Sequence, residues 1–172
     1  ERKNKYQIKY LLNEVSDLKI IVRHLAAESE NYKQYIEQTA DSFDFQWKNL
    51  SEGLGLWSDE NFRQDSISLL EEFTELPKEW FEGKKVLDAG CGNGRWSQVM
   101  CSLGAKVTAI DISEAGVEKT REACGQYPGF ESWQHSLLDD IGLPDEFDLV
   151  FSYGVVHHTG YTWQAVKNIA AC

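Results

Sequence analysis

The sequence predicts an α/β sandwich, a parallel sheet with helical crossovers, set behind a long amino-terminal helix. Three observations predict it. From Lys84 onward, short apolar runs alternate with amphipathic stretches, the pattern of strands joined by crossover helices. A glycine-dense turn, VLDAGCGNG from Val86 to Gly94, closes the first of those runs. No Gly or Pro interrupts the first 40 residues, whose apolar positions recur at helical spacing.

Taken in order, residues 1–40 read as one helix. Ile8, Leu11, Val15, Leu18, Val22, Leu25, Tyr32 and Ile36 fall three and four apart, with Ser29 the polar break. With Ile8 at heptad position a, Glu14 and Glu28 take g positions and Lys19 and Lys33 the following e positions. That arrangement suits a parallel coiled coil, so residues 6–36 are expected to support a homo-oligomer. Leu12, Ile20 and Ile21 widen the stripe, which also suits an amphipathic helix docked on its own domain.

Residues 41–82 form an aromatic-rich lid or linker. FDFQWKNL is dense in aromatics, SEGLGLWSDE reads as a turn, and NFRQDSISLLEEF as a short amphipathic helix. Trp47, Trp57 and Trp80 are expected first as packing residues; Phe45, Trp47 and Trp57 could instead line a ligand pocket.

Residues 83–172 alternate strand and helix. KKVLDAG is a strand, RWSQVMCSLG a helix ended by Gly104, KVTAID a second strand, and Ser113 caps a helix running to about Cys124. ESWQH and FDLVFS are the third and fourth strands, with a turn at LPDE between them, and TWQAVKNIAAC begins another helix.

Composition narrows the function. Of 172 residues, 42% are hydrophobic, enough for a packed core, and no apolar run is long enough to span a membrane. The net charge of −11 divides as +1 over residues 1–40, −8 over 41–82 and −4 over 83–172. Such a surface repels phosphate backbones, so nucleic acid is not expected as a partner. The four cysteines show no metal-ligand spacing, which argues against zinc and for reduced thiols in a cytoplasmic protein.

The glycine turn carries the chemistry. Glycines 90, 92 and 94 let the backbone bend sharply and approach a ligand, and the following helix points free N–H groups at the same place. A dinucleotide fingerprint requires a small third residue at position 95, where this chain has Arg95. A P-loop requires Gly-Lys-Ser/Thr, which is absent. Asp88, two residues ahead of Gly90, sits poorly beside a pyrophosphate and suits a ligand bearing a cationic amine.

VLDAGCGNG, followed by VTAIDIS and LPDEFDLVFSYGVVHHT, resembles the class I S-adenosylmethionine-dependent methyltransferases, within the broad bacterial group acting on small molecules. The resemblance runs from about Phe43 to the end and implies a Rossmann-like methyltransferase sandwich with S-adenosyl-L-methionine as cofactor. It implies that Asp88 holds the methionine ammonium, that Gly90, Cys91 and Gly92 line the methionine moiety with Gly94 in the same cofactor-binding loop, and that Asp111, with Ile112 beside it, binds the ribose hydroxyls. Ser136 stands where the family usually has an acid for the adenine amine, with the Leu137 amide beside it and Asp139 as a substitute. Tyr153 falls near the sulfonium.

His157 and His158 are the candidate catalytic residues, as a base for a hydroxyl acceptor; they could equally cap the next helix. SYGV after the fourth strand differs from the Asn-Pro-Pro-Tyr motif of amino-methylating relatives, which leaves oxygen or carbon of a small-molecule methyl acceptor ahead, with glycan, lipid or quinone metabolism as the setting. A non-catalytic cofactor-binding or coiled-coil module and an NAD-dependent oxidoreductase are the alternatives. The family sheet has seven strands, of which about four are present, and the chain does not start with Met. It is therefore expected to be a piece holding the cofactor half, inactive by itself.

Overall fold

A computed structural model describes residues 30–49 and 59–172. The heptad positions before residue 30 and Trp57 lie outside the described residues, so the coiled-coil expectation for residues 6–36 falls largely there. The chain divides into two compact units, 1–38 and 39–172, and all four described strands belong to the second.

The sheet has four parallel strands, β1 (Lys85–Ala89), β2 (Lys106–Asp111), β3 (Glu131–Gln134) and β4 (Leu149–Phe151), in the order β3-β2-β1-β4. β1 is flanked on both sides. Asp88 lies opposite Ala109 of β2 and opposite Phe151 of β4. That central position explains why KVLDA reads as a continuous apolar run broken only by one acid: every residue after Lys85 is buried. The chain proceeds from β1 through β2 to β3, then returns to the far side of β1 for β4. The order therefore reverses between β1 and β2 on one side and β4 on the other, the place where open α/β sheets bind ligands.

The helices are α1 (Glu30–Asn49), of which residues 39–49 belong to this unit, α2 (Glu60–Thr74), α3 (Arg95–Ser102), α4 (Glu114–Cys124) and α5 (Thr162–Ile169). α1 continues through residue 40 to Asn49, so the aromatic FDFQW stretch is helical. α3 ends as its glycine predicts. Gly104 has φ +88°, its N–H donates to the Cys101 carbonyl at 3.0 Å, and the Ala105 N–H donates to the Met100 carbonyl at 3.1 Å. These two bonds form a Schellman closure, with Met100 and Ala105 meeting in the core.

α3 and α4 are the crossovers between β1 and β2 and between β2 and β3. Their apolar faces supply Val99, Met100, Val117 and Cys124 to one core cluster with Leu70, Phe81, Val86 and Val107. Full burial of a residue such as Leu70 or Val107 contributes roughly 1.5–3 kcal/mol. Trp80 packs on this core and stands edge-on to Phe81, as expected of a packing tryptophan. At the other end of the sheet, the Lys85 N–H donates to Asp148 at 2.9 Å and Lys84 pairs with the same carboxylate at 3.2 Å. These contacts fix the start of β1 against the turn before β4. α5 is tied down by Asn168, whose amide donates to the Leu137 and Asp139 carbonyls at 3.0 Å each. Among the described residues no helix is long and apolar enough to cross a membrane.

Candidate functional site

The glycine turn lies at the carboxyl end of β1, where the strand order reverses. Gly90, Gly92 and Gly94 have φ of +95°, +53° and +86°, a backbone that side chains with Cβ rarely adopt. The Gly90 and Cys91 amides both donate to the Ile110 carbonyl, at 2.8 and 3.0 Å, folding the turn back onto β2. Space is also short. A Cβ at Gly94 would come within 2.9 Å of the Thr120 Cα. Thr120, fully buried on α4, donates its hydroxyl to the Gly92 carbonyl at 2.9 Å. Thr120 thus holds the turn from the side, a role its sequence position does not announce.

Two buried acids frame this turn. Asp111, ending β2, accepts the Gly92 N–H on one oxygen at 2.9 Å and the Ser113 N–H on the other at 2.8 Å. Burial raises its pKa; the Ser113 and Gly92 amides oppose that rise, while the negative charge of Asp44 adds to it. Asp88 is 1% exposed and accepts the Ser97 hydroxyl at 2.6 Å. Burial, with a further contribution from the Asp111 charge, pushes its pKa from 3.8 to about 7 against the opposing Ser97 bond. Asp88 therefore sits beneath the turn and Asp111 at its edge. Burial also raises the Cys91 thiol, so this cysteine is an apolar wall of the turn rather than a thiolate.

Ser113 caps α4 as predicted, accepting the Gly116 N–H at 3.1 Å. A partner absent from the sequence reading joins it: Asp44 of α1 accepts the Ser113 hydroxyl and, at 3.1 Å, the Ala115 N–H. Burial raises the Asp44 pKa, but the Ser113 hydroxyl, the Ala115 amide and Lys48 outweigh it and leave it lowered. Asp44 and Trp47 therefore dock this part of α1 beside the site. Trp47 lies against Gly92 and Gly116, whereas Phe45 is 67% exposed.

The remaining candidates divide. The His135 N–H donates to the Asp111 carbonyl at 2.8 Å, which carries Ser136 and the buried Leu137 toward the end of β2. The Ser136 hydroxyl accepts the Leu138 N–H at 3.2 Å, and the Ile112 carbonyl accepts the Gln134 amide at 2.8 Å. Asp139 is exposed. Tyr153, half exposed after β4, stacks on Phe73 of α2 at 4.9 Å. Val155, unforeseen in the sequence, lies against Gly90: a Cβ there would meet its methyl at 2.4 Å. His157 and His158 follow in a 3-10 turn, Val156–Thr159, exposed, with ring centroids 4.0 Å apart. Phe43 of α1 meets His158 edge-on at 5.5 Å. Arg95, at the position where a dinucleotide site needs a small residue, donates to Ser66 at 3.2 Å and lies over the Phe62 and Trp96 rings. It packs α2 against the turn.

A parallel sheet reversing its order beside a glycine turn, with an acid ending the adjacent strand, defines the Rossmann-like class of nucleoside-binding folds. Residues 87–172, half the chain, match the methyltransferase domain family, and the chain belongs to that family. The resemblance to class I S-adenosylmethionine-dependent methyltransferases read from its motifs holds. It is 37% identical over 94 residues to the mitochondrial ubiquinone biosynthesis O-methyltransferase of Schizosaccharomyces pombe, covering 52% of this chain and 34% of that relative. Identity to the ubiquinone biosynthesis O-methyltransferase of Azotobacter vinelandii is 33%, covering 56% of this chain and 45% of that one. The chain thus spans less than half the length of either relative. Magnesium protoporphyrin IX methyltransferase from Synechocystis, solved with bound S-adenosylmethionine, shares the fold at a TM-score of 0.58 and 20% identity, covering 79% of this chain and 70% of that one.

Proposed function

We propose that this chain binds S-adenosylmethionine at the glycine turn and belongs to a protein activity that methylates an oxygen of a small molecule. The observation that carries the reading is the Asp111 carboxylate, fixed at the end of β2 by the Gly92 and Ser113 amides beside the reversal of the sheet. Each of its oxygens keeps acceptor capacity after taking one N–H, which suits a pair of ribose hydroxyls. The cofactor fits the electrostatics as well. Asp44, Asp88 and Asp111 are all acids around one turn, an arrangement that favours a ligand with cationic groups over a pyrophosphate. Arg95 supports the same choice, since it fills the third position of a dinucleotide fingerprint with a packed guanidinium.

S-adenosylmethionine supplies a methyl group already activated on a sulfonium. The chain's residues then hold and orient. Gly90 and Cys91 present backbone to the methionine portion, with Val155 beside them. Asp88, too buried for open contact, favours the ammonium through its charge or through water. Ser136 and the Leu137 amide serve the adenine, and Tyr153 stands toward the sulfonium. His157 or His158 takes the proton of a hydroxyl acceptor, a task suited to imidazole near neutral pH. The O-methyltransferase relatives favour oxygen over carbon, and among acceptors they favour quinone-related compounds. The test is transfer of labelled methyl from S-adenosylmethionine to hydroxyl-bearing acceptors, quinone precursors included. Label in a small organic product is the expected result. Label appearing in protein or nucleic acid instead, or no cofactor binding, would overturn the reading.

A further inference from the structure

We propose that Trp47 belongs to the cofactor site and donates its indole N–H to a ribose oxygen of the bound nucleoside; this rests on the cofactor reading above. The indole is wedged between the glycine turn and α4. A Cβ at Gly92 would lie 2.7 Å from Trp47 Cζ2 and 3.3 Å from Cε2, and one at Gly116 would lie 3.1 Å from Cδ1. Two glycines on separate elements thus leave room for one ring. Nε1, covalently between Cδ1 and Cε2, sits on the ring edge that meets this pair.

That nitrogen is buried and has no hydrogen-bond partner. A buried indole N–H ordinarily finds an acceptor, and leaving it unmade is costly. No acceptor of the turn takes its proton. The Gly92 carbonyl takes the Thr120 hydroxyl, and the two Asp111 oxygens take the Gly92 and Ser113 amides. A ribose hydroxyl resolves the deficit, because it can donate to Asp111 while accepting from Trp47. The ring is also held in place from its own helix. Asp44, one turn earlier on α1, is bonded to the Ser113 hydroxyl and the Ala115 amide at the start of α4. The donor is therefore positioned before any ligand arrives, which limits the ordering cost of using it.

The test titrates the chain and its Trp47→Phe and Trp47→Ala variants with S-adenosylhomocysteine and with adenosine. Trp47→Phe keeps a ring and removes only the donor, so affinity for both ligands should fall about tenfold, while its melting without ligand stays close to that of the parent chain. In the parent chain, the sequentially assigned Trp47 indole N–H signal should move downfield on adding S-adenosylhomocysteine; this settles the matter if the variants do not fold. Unchanged affinity in a folded Trp47→Phe variant, or an unmoved indole signal, would overturn the inference and leave the cofactor reading standing. Tighter binding by Trp47→Ala would also overturn it, because the ring would then be occupying the ligand's place. Absence of any S-adenosylhomocysteine binding by the parent chain would remove both readings together.

Discussion

Asp111 and Asp88 are both buried acids at strand ends, yet their surroundings divide their roles. Asp111 takes the Gly92 and Ser113 amides and stays at the edge of the turn; Asp88 takes the Ser97 hydroxyl and lies beneath it. Asp111→Ala should lose about 1–3 kcal/mol of S-adenosylhomocysteine affinity by calorimetry, the scale of a lost charge-assisted bond pair. Asp111→Asn, which keeps an acceptor for the Gly92 amide, should lose less; equal affinity in both folded variants and the parent would remove Asp111 from the site. For Asp88 the expected signature is in stability. In the unfolded chain the carboxyl ionises near 3.8, in the folded chain near 7. Between those values the native state holds a proton that the unfolded state has released, so native stability is full at low pH and falls as pH rises toward 7. Asp88→Asn cannot ionise. Its stability advantage over the parent should grow from near zero at pH 4 to as much as roughly 4 kcal/mol at pH 8. Parallel pH profiles of the two melting temperatures would contradict this.

At the scale of elements, what the sequence makes legible is local. The strands show as apolar runs because the central one is buried on both faces, Gly104 and Ser113 show as caps because capping is a property of neighbouring residues, and Asp88, the glycine turn and Asp111 show because they end strands. What is not legible depends on distant pairing. Nothing local tells FDFQW that Asp44 will meet Ser113, 69 residues on, or that Trp47 will lie on Gly92. The same is true of Val155 against Gly90, which follows only once β4 is placed beside β1. Two substitutions test these joints. Ser113→Ala removes the α4 cap and one of the two bonds that hold Asp44, leaving the Ala115 amide, and should cost about 1–2 kcal/mol in denaturant unfolding; no change in midpoint would mean that neither the cap nor the Ser113–Asp44 bond carries energy. Gly94→Ala forces a left-handed backbone against the Thr120 main chain at 2.9 Å. It should cost about 1–3 kcal/mol, and a stability equal to the parent's would show that the turn relaxes freely.

For the whole molecule, topology and charge agree on one place. The order β3-β2-β1-β4 opens the sheet at the carboxyl ends of β1 and β4, and the elements gathered there each bring a part: the glycine turn from β1, Asp111 from β2, Ser136 and Leu137 after β3, Val155 and the histidines after β4, Asp44 and Trp47 from α1. A chain with a net charge of −11 that also concentrates buried acids around that opening is arranged for a cationic nucleoside and against a dinucleotide. Calorimetric titration of the chain with S-adenosylhomocysteine and, separately, with NAD tests this directly. The expected result is saturable one-to-one binding of S-adenosylhomocysteine and none of NAD; binding of NAD in preference, or of neither, would contradict the account.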